Sequence, residues 1–118
     1  MKPVFDENGA PVAFRKGDDL FDLDGNHLAA FDGEWLISHG GKPVAHFSSG
    51  WFRDLSGDCA AFMPGAGGGP QTPLTQPVPL EPAPGITPMP AVAGLAPVPP
   101  IPSVNWSQIG WAGIRKLM

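Results

Sequence analysis

At 118 residues with a formal net charge of −4, the chain has room for one small domain. It lacks the basic stripe that nucleic-acid binding requires, because cationic phosphate contacts supply most of that affinity. No segment approaches the roughly 18 apolar residues of a membrane span, and a lone cysteine, Cys59, excludes an internal disulfide. The start, MKPVFDENG, has no apolar run after its lysine, so a cytoplasmic protein without a signal peptide is expected.

Composition divides the chain. Residues 1–63 hold Pro3, Pro11 and Pro43, whereas 64–102 hold the other thirteen of the 16 prolines and one charged residue, Glu81. The expected organisation is a folded body over 1–67, a Pro/Gly-rich apolar extended segment over 68–102, and a short Trp-containing amphipathic terminus over 103–118.

The body repeats. A shift of 16 aligns VFDENGAPVAFRKGDD (4–19), LFDLDGNHLAAFDGEW (20–35), LISHGGKPVAHFSSGW (36–51) and FRDLSGDCAAFMPGAG (52–67). One column holds Gly9, Gly25, Gly41 and Gly57, another Val4, Leu20, Leu36 and Phe52, a third Ala13, Ala29, Ala45 and Ala61. Three columns in register over four gapless units fix the architecture before any other feature is weighed.

Each unit has two turn sites. Asn8-Gly9, Asp24-Gly25, Gly40-Gly41 and Ser56-Gly57 form one set, and Lys16-Gly17, Asp32-Gly33, Ser48-Ser49 and Pro64-Gly65 the other. Pairs such as Asn-Gly and Asp-Gly suit two-residue type I′ turns. Eight strands are predicted, near 2–7, 10–15, 18–23, 26–31, 34–39, 42–47, 50–55 and 58–63.

Two-residue turns would set the register. One face then pairs Val4 with Ala13, Leu20 with Ala29, Leu36 with Ala45 and Phe52 with Ala61. The other pairs Phe5 with Val12, Phe21 with Leu28, Ile37 with Val44 and Arg53 with Ala60. A bulky residue opposite an alanine, four times over, suits the crowded interior of an eight-stranded closed sheet. The expected fold is therefore all-β: four hairpin repeats closing with pseudo-four-fold symmetry, which removes exposed sheet edges. The second face, with Trp35, Trp51, Phe14 and Phe62 added, is too apolar for water. The tail or a second copy of the chain is expected to cover it, exchange between chains being slightly favoured and a homo-oligomer expected.

The units "VFDENGAPVAF", "LFDLDGNHLAAF" and "WFRDLSGDCAAF", followed by a Pro/Gly-rich segment and "NWSQIGW", resemble the bacterial four-fold β-flower domain proteins. The resemblance covers essentially the whole chain. Departures are Ser38, where other units have Asp, and Arg53, where they have Phe or Ile. The resemblance implies a small all-β domain with four petal-like hairpins. It implies no activity, so no catalytic residue is carried over.

In the tail, one proline in three excludes helix and makes extended polyproline II the default. Leu74, Val78, Leu80, Ile86, Met89, Val92, Leu95, Val98 and Ile101 distinguish it from a charged disordered linker. Two readings stay open: a collapsed linker, or docking on a body or partner. In SVNWSQIGWAGIRKLM (103–118), Ser103 or Asn105 is expected to cap a short helix that ends in Arg115 and Lys116.

Candidate chemistry is sparse. Asp6, Asp22, Ser38 and Asp54 recur before each Gly turn. By the two-residue register they share a mouth with Pro11, His27, Pro43 and Cys59. Asp6, Asp22, Asp54 and His27 are thus weak candidates for a cation site. The competing reading, that each Asp accepts hydrogen bonds from its own turn amides, is favoured. Trp35 and Trp51, with Trp106 and Trp111 of the terminus, are the candidate ligand- or partner-binding residues; the Trp column is incomplete, with Pro3 and Asp19 in units one and two. No P-loop, nucleophile elbow or dinucleotide fingerprint occurs. No cofactor, nucleic acid or membrane partner is expected. The favoured function is a non-enzymatic interaction or assembly module displaying a Pro-rich tail; the alternative is a small-ligand or carbohydrate-binding module using surface Trp residues.

Overall fold

A computed structural model describes residues 1–88 and 97–118. The tail residues Met89, Val92 and Leu95 lie outside the described residues. Eight antiparallel strands run β1 (Lys2–Asp6), β2 (Pro11–Lys16), β3 (Asp19–Phe21), β4 (His27–Asp32), β5 (Trp35–Ser38), β6 (Pro43–Ser48), β7 (Trp51–Arg53) and β8 (Cys59–Phe62). Each pairs with the next, and β8 returns to β1 through Phe5 with Phe62 and Asp6 with Ala61, closing a barrel. One helix, α1 (Gly110–Leu117), follows.

The four expected pairs that define the interior are all present: Val4 with Ala13, Leu20 with Ala29, Leu36 with Ala45, Phe52 with Ala61. These eight side chains are fully buried in one cluster. Bulky residues fill the barrel, while the alanines leave room for them.

Toward the Gly turns the register departs from expectation. The partners there are Phe5 with Pro11, Phe21 with His27, Ile37 with Pro43 and Arg53 with Cys59, each beyond a one-residue bulge. The cause is the turn. Asp6 N–H donates to Ala10 O at 2.9 Å and Gly9 N–H to Asp6 O at 3.0 Å, with Gly9 at φ 76°, so the loop has three residues rather than two. The same geometry recurs at Asp22–Gly25, Ser38–Gly41 and Asp54–Gly57. A three-residue loop and a bulge together restore the Val4–Ala13 register. The extra residue rotates Val12, Leu28, Val44 and Ala60 onto the interior cluster instead of the outer face. That removes four of the residues expected to need cover.

The second set of turns is displaced by one residue. Lys16 pairs with Asp19, Asp32 with Trp35 and Ser48 with Trp51, leaving Gly17-Asp18, Gly33-Glu34 and Ser49-Gly50 as the two-residue loops. Positive φ falls on Gly17 and Gly33 alone in the first two, the pattern of a type II′ turn, and on both Ser49 and Gly50 in the third, the pattern of type I′.

The barrel consequently has a long-turn mouth and a tight-turn mouth. Helix α1 sits across the long-turn mouth: Trp111 and Ile114 join the interior cluster, Trp111 meeting Phe52 edge to face at 5.8 Å. The helix starts later than expected. Ser103 Oγ instead donates to the Asp58 carboxylate, and Ser107 Oγ accepts from the N–H groups of Ile109 and Gly110, both at 3.2 Å. Trp106 lies outside the helix, in a parallel bridge with Cys59. No helix among the described residues is long and apolar enough to cross a membrane.

Candidate functional site: the strap and the two mouths

The Pro-rich segment is seated on the body of its own chain as a strap. Its backbone docks on the glycine turns. Gln76 N–H donates to Gly9 O at 2.9 Å, Gly85 N–H to Gly25 O at 2.7 Å, and Ser103 N–H to Gly57 O at 3.1 Å. In each case the strap carbonyl two residues earlier, of Leu74, Ala83 or Ile101, rests where the glycine's Cβ would be. Only glycine tolerates both the positive φ and this approach. The strap therefore advances nine residues from petal one to petal two, and eighteen from petal two to petal four.

Around petal four the strap is held more tightly. Arg53 is buried and, among the described residues, has no acidic partner; its guanidinium donates to Gly57 O and Ser103 O, both at 2.7 Å, and to Gly68 O at 3.3 Å, and its Nε has no partner among those residues. Arg53 thus replaces the apolar residue of the other units and ties both ends of the strap to the barrel. Cys59 N–H donates to Asn105 O and Ser107 N–H to Cys59 O, at 2.9 and 2.8 Å. Burial pushes the Cys59 thiol above its ordinary value, with Arg53 opposing and Asp58 and Asp54 adding to the rise, so the sulfur is a neutral packing group.

The four tryptophans do not form one surface. Trp51 is 1% exposed, covered by Gly69 and by Trp106 at 5.5 Å, and its Nε1 donates to Gly67 O at 3.1 Å. Trp111 plugs the barrel. Trp35 is buried apart from them, edge-on to His46 at 4.8 Å. Trp51 and Trp106 meet, then, but as packing under the strap rather than as a platform open to a sugar or amine.

The Asp column lies at the long-turn mouth. Asp6 Oδ1 accepts from Asn8 and Ala10 N–H groups, Asp22 Oδ1 from Asp24 and Asn26, and Asp54 Oδ1 from Ser56 and Asp58, all at 2.9–3.0 Å. Ser38 Oγ makes the shorter version, accepting from Lys42 N–H at 3.2 Å. The remaining oxygens of Asp22 and Asp54 accept from Asn26 Nδ2 and from Ser107 Oγ. Burial raises the Asp22 pKa, but the Asn26 side chain, the Asn26 and Asp24 amides and the charge of Arg115 outweigh it, so Asp22 titrates below the ordinary carboxylate value.

The bulge moves His27 and Cys59 off this mouth, contrary to the two-residue register. They face outward opposite Phe21 and Arg53. His27 Nε2 meets Asp19 Oδ1 at 2.9 Å and its Nδ1 meets His39 Nε2 at 2.8 Å. With centroids 5.1 Å apart and a 12° interplanar angle, the two rings meet edge to edge rather than face to face. Both His27 nitrogens are thereby committed. Among the described residues no three His, Cys, Asp or Glu side chains converge as a metal would require.

The outward side of the strap carries polar residues such as Thr75 and Gln76 and, beside them, large apolar ones. Leu74 is 96% exposed, Leu80 and Ile86 94%, and Ile101 87%, with Val98 and Val104 also solvent-facing. The strap is bound through its backbone and presents its side chains.

A closed barrel of four bulged hairpins, plugged by a terminal helix and bound by a proline-rich strap, defines a class of small petal-built all-β modules. A family model described as 4-fold beta flower protein matches residues 2–114, and the chain belongs to that family. Neither the curated proteins nor the solved structures gave a match.

Proposed function

We propose that this chain is a non-enzymatic, cytoplasmic assembly module that associates with a second copy of itself through the outward face of its strap. The observation that carries the reading is the near-complete exposure of Leu74, Leu80, Ile86 and Ile101 on a segment whose backbone is already held. Ordered apolar side chains have lost their chain entropy before any partner arrives, so binding them has a lower entropic cost than binding a loose tail. Each Leu or Ile gains about 1.5–3 kcal/mol on full burial. Leu74 and Ile101 stand on petals one and four, which adjoin through the β1–β8 pairing. The strap's one charged group, Glu81, is 2.7 Å from the Met1 amino group, so the strap's own side chains offer little net charge to select a charged partner. A second apolar strap is the complementary surface.

The test is light scattering on the full chain across a concentration series. A mass above the 12.3 kDa of one chain is expected at about 0.1 mM, falling to one chain in Leu74→Ser/Ile101→Ser with an unchanged melting temperature. A wild-type chain that stays at 12.3 kDa up to about 1 mM overturns the reading.

A further inference from the structure

Among the described residues, nothing plugs the tight-turn mouth as α1 plugs the other. The tight-turn mouth opens into a cleft of about 1050 Å³ whose lining includes Lys2, Arg15, Lys16, Phe47 and Met63. We propose that this cleft binds a small amphipathic anion, a single carboxylate or sulfonate carried on an apolar body.

Charge placement is the first argument. Lys2 stands directly opposite Arg15, and Lys16 follows. Like charges opposite one another in a ladder destabilise it. The other three repeats avoid this, pairing Asp18 with Phe31, Glu34 with Phe47 and Gly50 with Met63 at the same step. Three of the chain's seven Lys and Arg thus collect at one end of an otherwise acidic protein. The cleft lining contains no carboxylate, and none of the three cations is in an ion pair among the described residues. A bound anion relieves the repulsion that the fold leaves in place.

Arg15 is also held in position. Its Nε donates to Gly17 O at 2.9 Å, and its guanidinium carbon lies 4.0 Å from the Phe31 ring centroid and 4.9 Å from that of Phe47. The two rings and the Gly17 carbonyl hold the group in place, and its terminal nitrogens have no hydrogen-bond partner among the described residues, which leaves them for two-point contact with a carboxylate or sulfonate. Beneath it, Phe47 and Met63 belong to or pack on the interior cluster, and Pro3 and Pro64 extend the apolar wall. Few polar groups converging over an apolar floor is the composition of a small-molecule site. An inorganic anion would leave that floor wet, and a polyanion would be repelled by the net charge of −4.

Calorimetric titration of the full chain with decanoate is the test, with decyltrimethylammonium as the charge-reversed probe. Saturable decanoate binding tighter than about 1 mM is expected, weakened about tenfold in Arg15→Met and in Lys2→Met, with the Met63 methyl resonance shifting on binding. Both variants keep the aliphatic stem, and a melting curve like that of the wild type establishes that they fold. Lys116→Met, at the far end of the chain, should bind as the wild type does. Equal affinity for decyltrimethylammonium, undiminished binding in the two mouth variants, or no binding at about 1 mM overturns the proposal.

Discussion

At the long-turn mouth every petal ends in an Asp-x-x-Gly or Ser-x-x-Gly loop, three of the four described glycine carbonyls receive the strap, and Trp111 and Ile114 fill the opening. At the tight-turn mouth three two-residue loops join the repeats; Ser49 O accepts only the start of the tail, from Gly67 N–H at 3.0 Å, Gly17 O accepts from Arg15 Nε, and Arg15 lies across Phe31 and Phe47. One sixteen-residue unit therefore makes both a docking end and an open end. The difference lies in turn length: the longer loop aims its glycine carbonyl outward, where an extended chain can pair with it.

Removing the plug should separate the two ends most strongly. Trp111→Ala empties a buried site against Phe52 and is expected to cost about 3–5 kcal/mol, read as a large fall in melting temperature. A loss below about 1 kcal/mol would mean that the helix is laid on the barrel rather than built into it.

Much of this was legible in the sequence because the repeat imposes it. The glycine and alanine columns gave eight strands, closure and the Val4–Ala13 register. The bulge was hidden, since Pro11-Val12-Ala13-Phe14 and Asn26-His27-Leu28-Ala29 offer consecutive apolar or neutral residues in which a shift of face leaves no mark. A signal did exist: Asp three residues before Gly is the pattern of a type I turn closed by a left-handed residue, not of a two-residue I′ loop. The strap's path was not legible, because it depends on backbone groups that every residue carries. The Lys2–Arg15 pair, thirteen positions apart, follows from that same Val4–Ala13 register; the apolar floor beside it, where Arg15 lies over Phe31 and Phe47, depends on barrel closure and side-chain packing that the register does not specify.

Two glycines sharpen the comparison between the ends. Gly57 at φ 93° sits beneath Ile101 O, whereas Gly33 at φ 62° has open space around its Cβ position. Gly33→Ala should cost only the left-handed strain, about 1 kcal/mol. Gly57→Ala adds displacement of the strap and should cost about 2–3 kcal/mol, with a second consequence. Cys59 is bridged to Trp106, so loosening residues 101–106 should make its thiol react with a disulfide reagent that the wild type resists. Equal stability loss and equal thiol protection in both variants would show that the strap is not seated on its glycines.

The smallest effect concerns the charge of the Asx turns. Asp22→Asn keeps an oxygen able to accept from Asp24 and Asn26 N–H groups, so the variant isolates the charge. Asp22 has a folded pKa below its value of 3.8 in the unfolded chain. Its contribution to stability is therefore present above 3.8 and is lost as pH falls through the lower folded value. The carboxylate is largely solvated, so the expected loss at about pH 7 is under about 1 kcal/mol. As the pH is lowered toward about 2.5, the melting temperatures of wild type and variant should converge. Arg115 of α1 contributes to lowering the Asp22 pKa, so Arg115→Met should reduce the same difference slightly without moving the tight-turn mouth. A wild-type-to-variant gap that stays constant from about pH 7 to about pH 2.5 would show that the turn is held by amide geometry alone, and that the charge at the plugged end contributes nothing to closing it.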